Sequence, residues 1–238
     1  MNNEVFTGLF GKLPAHGDFV QRNLPADFVS VWDEWLQHYI AGSQEQIGEN
    51  WLEIYLTSPI WRFMLSEGAV DGLSWVGIML PSVDKIGRYF PLSIITQIPS
   101  HLCSLEFLLS NNIWIERIEE LALQALNGDL TADELIDEIS KVEIVHNNNY
   151  SKKNNLNDSE PVIIDLDFEE QLPTSVSDYL LDAILLRSVS SYSAWTSKGS
   201  EHVPPSLFLS QGLPPINGIS GMMNGQWGWQ QPYQIVAM

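Results

Sequence analysis

Charged side chains that could do chemistry enter this chain at three places, each beside a short apolar run. The first is Lys12, His16, Asp18 and Arg22, the second is Asp84, Lys85 and Arg88, and the third runs from Trp195 to Glu201. An Asp/His/Arg set at strand ends can serve general acid/base chemistry, because a rigid sheet holds proton donors and acceptors at fixed separations. The same residue types also make structural ion pairs that fasten loops to a sheet. Both readings stand on the residues alone, and each requires the three segments to meet.

More specific chemistry is missing from the pattern. The Gly11-Lys12 pair lacks the glycine spacing and the following Ser or Thr of a phosphate loop. There is no GxSxG elbow and no HExxH helix, and the His101/Cys103 pair has no recognisable nucleophile motif around it. His16 and Asp18 offer two metal ligands without a third, so no metal or cofactor is expected. The acidic residues near Glu116 to Glu138 have no histidine at ligand spacing and read as solvated helix faces.

The elements that must position these residues can be read from periodicity. Trp75–Leu80 and Tyr89–Ile95 are short apolar runs bounded by turn residues, which predicts two buried strands joined by a connection punctuated by Pro81 and Gly87. Val5 to Leu13 predicts a first strand, followed by a turn at Pro14 to Asp18. After Pro25, the residues Phe28, Val31, Trp32, Trp35, Leu36, Tyr39 and Ile40 recur at helical spacing, and a shorter helix is expected around Glu45 to Leu56. Trp61 to Leu65 predicts a strand. Helices follow from Ser104, with one ending near Gly128 and the next opened by a Thr131/Glu134 capping box. Asn147 to Ser159 carries six asparagines and reads as a loop or linker within one domain. Val162 to Leu166 predicts a strand, Ser175 to Arg187 a helix, Tyr192 to Thr196 and Leu207 to Leu209 two strands, and the residues after Pro215 a last short helix. Interleaving of this kind predicts one α/β domain over residues 1–238, layered as an α/β/α sandwich around a central mixed sheet.

Charge narrows the partners. The net charge is −19, and residues 116–182 hold 17 acidic against 4 basic side chains, a local −13. Such a surface repels phosphate backbones, so nucleic acid and anionic membranes are poor partners. The single cysteine excludes an intrachain disulfide, the start MNNEVF lacks a signal-peptide pattern, and no run approaches the ~18 apolar residues of a membrane span. A soluble cytoplasmic protein is the expectation.

Five blocks in order carry a family resemblance: GKLPAHGDFVQRNLP (Gly11 to Pro25), WDEWL (Trp32 to Leu36), SPIWRFML (Ser58 to Leu65), PSVDKIGRYFPL (Pro81 to Leu92) and SAWTSKGSEHVPPSLFLSQGLP (Ser193 to Pro214). Together they resemble the TagF, or ImpM-like, family of type VI secretion accessory proteins. The resemblance implies an α/β sandwich in a cytoplasmic bacterial protein that represses type VI secretion after translation, without being an enzyme itself. It implies action on a forkhead-associated scaffold protein of the Fha type. Some family members are fused to a PppA-type phosphatase; with no room for that fusion here, any phosphatase in the pathway is expected to be a separate polypeptide. Carried over by position, the blocks point to Lys12, His16, Asp18, Arg22, Asp84, Arg88, Trp195, Gly199 and Ser200, with no catalytic role for any of them. Two alternatives stay open: a small-molecule hydrolase using the Asp/His/Arg cluster, and a structural accessory subunit of the secretion apparatus.

Overall fold

A computed structural model describes residues 6–144 and 175–227. The Asn-rich stretch and the strand expected at Val162 to Leu166 lie outside the described residues. Seven strands form one sheet in the order β2-β1-β5-β4-β3-β6-β7: β1 Thr7–Gly11, β2 Val20–Arg22, β3 Trp61–Leu65, β4 Ser74–Leu80, β5 Leu92–Ile98, β6 Tyr192–Ser197 and β7 Ser206–Gln211. Helices α1 Ala26–Ile47 and α2 Trp51–Leu56 lie between β2 and β3 in the chain. Helices α3 Ser104–Ser110, α4 Asn112–Leu126, α5 Ala132–Ser140 and α6 Ser175–Ser188 lie between β5 and β6, and α7 Gly221–Asn224 follows β7.

The α/β layering is as expected, but the sheet is antiparallel at every pairing rather than mixed. Connection length explains four of the six pairings. Residues 12–19, 66–73, 81–91 and 198–205 join neighbouring strands directly, and connections that short reverse the chain, whereas a parallel neighbour needs a long crossover. The helices sit in the two long connections, one block for each face.

Strand alternation sorts the side chains into two cores. On one face Trp75 and Met79 of β4, Phe63 and Trp61 of β3, Ile95 of β5 and Trp195 of β6 meet Phe28, Trp32, Trp35 and Tyr39 of α1, and Trp51 and Tyr55 of α2. On the other, Val76, Ile78 and Leu80 of β4, with Leu92 and Ile94 of β5, meet the apolar faces of α3, α4 and α5. Val31, expected on the buried stripe of α1, is exposed. The aromatic face tolerates its indoles because their N–H groups find acceptors: Trp32 donates to Ser93 Oγ, Trp51 to Ser43 Oγ, Trp61 to the Met222 carbonyl and Trp35 to the Pro214 carbonyl.

Two boundaries shift for local reasons. The first helix runs on through Ile47 before a single 3-10 turn at Gly48–Asn50, so the shorter helix expected at Glu45 splits between α1 and α2. Strand β5 starts at Leu92 rather than Tyr89, because Pro91 has no N–H for the ladder. Tyr89 instead forms an isolated bridge with Val83.

Gly77, in the middle of β4, lies so close to β5 that an added Cβ would sit 2.3 Å from the Ile94 carbonyl oxygen. Backbone on a central strand cannot swing away. Gly77→Ala is expected to destabilise the fold by about 3 kcal/mol or more, measured by urea unfolding of the purified protein.

Candidate functional site

The strand registers bring four connections to one end of the sheet. Gly11 pairs with Val20, Leu80 with Leu92, Met79 with Trp61, and Ser197 with Ser206, so residues 12–19, 57–60, 81–91 and 198–205 all emerge there. The first two charged segments meet at this end.

At their centre is Asp84, whose side chain is fully enclosed. Its Oδ1 accepts from the backbone amides of Ile86 (3.1 Å) and Arg88 (2.9 Å), which closes the 84–88 turn. Its Oδ2 accepts from Arg88 Nε at 2.6 Å and pairs with Lys12 Nζ at 3.0 Å. Four donors match the roughly four lone-pair sites of a carboxylate. Burial by itself would raise the Asp84 carboxyl; the Arg88 amide, Lys12, the Arg88 guanidinium and the Ile86 amide together hold it well below the usual carboxylate range.

The same ties bind the N-terminal turn. Arg88 Nη2 donates to the Gly17 carbonyl at 2.6 Å and lies 3.8 Å from Asp18, while Lys85 N donates to the His16 carbonyl at 2.8 Å. Ser82 Oγ donates to the Lys12 carbonyl at 2.6 Å. Phe19 packs edge-on to Phe90 and lies 5.0 Å from the Lys12 ammonium, in cation–π range. What remains outward is a rim of Asp18, Phe19, Lys85, Ile86 and Arg88, with Ile86 71% exposed and the Arg88 side chain half-exposed.

His16 and Arg22 turn toward α5. His16 Nε2 accepts the Ala132 amide at 3.0 Å, so that nitrogen carries no proton in this geometry, and it satisfies an otherwise orphaned donor of the helix start. Thr131 and Glu134 form the expected capping box beside it. Arg22 Nε pairs with Asp133 at 2.6 Å on an exposed surface, where water competes for both ends and such a pair contributes little.

The third segment does not join the cluster. Trp195 is completely buried in the aromatic core between Phe63, Trp35 and Phe208. Gly199 and Ser200 share the same end of the sheet but follow β6, four strand spacings or about 19 Å from β1. Gly199 has φ +89°, and a Cβ there would meet the Val203 carbonyl oxygen at 2.7 Å. Ser200 N closes that turn on the same carbonyl at 2.8 Å. These are the needs of a tight turn.

Sequence reasoning passed over a second polar group. Arg62, buried within β3, donates from Nε and Nη2 to the two oxygens of Glu119 (2.6 and 2.9 Å) and from Nη1 to Asn112. Lys198 bridges Glu116 (2.8 Å) and Glu119 (3.6 Å), fastening the end of β6 to α4. The signal was present in WRFML, where one arginine interrupts an otherwise apolar strand.

A concavity lined by Tyr39, Tyr55, Ser58 and Pro81 near this end leaves no room for a water-sized molecule. Among the described residues no helix is long and apolar enough to cross a membrane.

Fold and site together define a three-layer α/β/α protein whose polar end is braced by a saturated buried carboxylate. The chain belongs to the TagF N-terminal domain family, type VI secretion system-associated, whose model matches residues 8–142. It is also similar to the crystal structure of PA0076 from Pseudomonas aeruginosa PAO1, at 29% identity and a TM-score of 0.78 over 98% of this chain and 100% of that one. No curated protein matches it.

Because the folded Asp84 carboxyl titrates below its unfolded value, it stabilises the protein above the ordinary carboxylate pKa of about 4, and that stabilisation is lost as pH falls through the folded value. Asp84→Asn is therefore expected to lower the melting temperature by a constant amount from pH 8 to about pH 5, with the gap closing below about pH 4. Thermal melts of both proteins across that range check it. For the Arg62 pair, Glu119→Ala strands a buried guanidinium and is expected to cost about 3 kcal/mol, whereas the double change Arg62→Met with Glu119→Leu recovers most of it in a denaturant series.

Proposed function

We propose that this chain is a non-enzymatic, post-translational repressor of type VI secretion, acting in the cytoplasm by binding an Fha-type scaffold component through the rim around Asp84. A rigid rim that presents Asp18, Phe19, Lys85, Ile86 and Arg88 mixes two apolar projections with both signs of charge, a composition suited to protein recognition. Repression by occupancy needs mass action on an interface and no turnover.

The observation that carries the proposal is the saturation of Asp84. Its four acceptor sites are filled by Lys12, Arg88 and two backbone amides, which leaves none to take a proton from a substrate. That counts against the hydrolase alternative and assigns Asp84 and Lys12 the task of holding the rim in shape.

The partner surface is therefore tested at residues that project from the turn without bracing it. Lys85→Glu and Ile86→Asp are expected to abolish recovery of the scaffold from a secretion-competent extract and to raise secretion to the level of the deletion strain, with an unchanged melting temperature. Variants that still recover the scaffold and still repress would overturn the assignment of this rim. A deletion strain with unaltered secretion would overturn repression itself.

A further inference from the structure

Among the described residues, none pairs with the outer edge of β7. Ser66 N donates to the Tyr192 carbonyl at 2.9 Å, which turns the backbone of Tyr192, Ala194 and Thr196 toward β3; Gly212 N donates to the Ser191 carbonyl at 3.0 Å, which turns that of Ser191, Ser193, Trp195 and Ser197 toward β7. In this register Ser206, Phe208 and Ser210 spend their amides and carbonyls on β6. Those of Leu207, Leu209 and Gln211 point away from the sheet; among the described residues no backbone group pairs with them, and the Gln211 carbonyl meets only Ser210 Oγ, at 3.3 Å. The side chains of Leu207 and Leu209 are exposed, at 59% and 44%.

Natural edges are usually blunted by brevity, charge or cover. The opposite edge obeys this: β2 is three residues long, and its Arg22 is tied to Asp133 of α5. Strand β7 has six residues, no proline and no ionisable side chain. On a chain of net charge −19 such a neutral strip is a seam along which a second copy is not repelled, and charges farther off are screened beyond about 8 Å at physiological salt. The strip is also self-complementary. SLFLS, Ser206 to Ser210, reads the same in both directions about Phe208.

We propose that two copies of this chain pair β7 with β7 across a two-fold axis at Phe208, forming a continuous antiparallel sheet. Leu207 then faces Leu209 of the second copy in a hydrogen-bonded pair, which uses the outward amides and carbonyls of both. Phe208 faces its own counterpart in a non-hydrogen-bonded pair, the geometry in which opposite side chains lie closest. Because the opposite edge is blunted, the pairing closes as a dimer and does not propagate. A six-residue ribbon with two leucines a side is smaller than the roughly 800 Å² per partner of a stable interface, so association falls in the micromolar range. The axis lies at the far edge of the strand order from β1 and leaves the rim around Asp84 open on both copies.

Sedimentation equilibrium from about 1 to about 200 µM tests this. The wild-type protein is expected to move from 26.9 kDa toward twice that mass across the series. Leu209→Pro removes an outward N–H and no β6 bond, and Leu207→Lys sets an ammonium against Leu209 of the second copy, with the two lysines diagonal to each other across the seam. Each is expected to weaken dimerisation at least tenfold at unchanged melting temperature, and the lysine variant carries the comparison by itself if the proline variant unfolds. Mixing Leu207→Lys chains with Leu209→Glu chains is expected to restore dimers, since these positions face each other only in the register about Phe208. A wild-type chain that stays monomeric throughout, variants that dimerise like wild type, or a mixture that stays monomeric each overturns the proposal.

Discussion

A single buried carboxylate governs the polar end of this sheet. Asp84 sits where two neighbouring strands, β4 and β5, are joined, and its enclosure would be untenable as an isolated charge. It becomes favourable because two of its donors are backbone amides fixed by the turn itself, while the other two are cations from different parts of the chain. Lys12 brings in the turn after β1, and Arg88 carries the tie onward to Gly17. Lys12 is itself almost completely buried, so the ammonium and carboxylate depend on each other. The exposed Arg22–Asp133 pair, with a similar distance, contributes far less because water competes for both ends. Burial, more than proximity, separates the two.

Around that anchor the sheet divides its labour by face. One face is aromatic and stitched by indole N–H bonds, which give direction to contacts that hydrophobic burial alone would leave interchangeable. The other is largely aliphatic and packs three consecutive helices. Arg62 is the exception on that aliphatic face, and its fork to Glu119 fixes how α4 sits over β3. Helix placement there follows from bidentate geometry as well as from apolar area.

Much of this was legible in the residues. Strand β3 and the capping box of α5 follow from local rules, since five bulky residues between turns and a Thr-x-x-Glu pair each determine their own neighbourhood. The hairpin of β4 and β5 was legible too, and with it the meeting of Asp84 and Arg88, four residues apart. The sheet's direction was less accessible: nothing in a strand's composition says which neighbour it takes, and only the connection lengths distinguish antiparallel from mixed. Lys12 meeting Asp84 and Arg62 meeting Glu119 depend on separations of many residues, which periodicity does not encode. Trp195 illustrates the converse, since a residue within a family block and beside charged neighbours proved to be core.

The place of β6 bears on how the protein is made. The family model ends at residue 142, but β3 has a neighbour on only one side until β6 arrives from residues 192–197. A chain leaving the ribosome therefore completes β1 to β5 and their helices while the edge of β3, with Trp61, Phe63 and Leu65 on its aromatic face, still waits for a partner well over a hundred residues downstream. Folding cannot finish vectorially. The stretch that the family model matches is thus smaller than the unit that can close the sheet, and β6 and β7 are members of that sheet rather than an appendage to it.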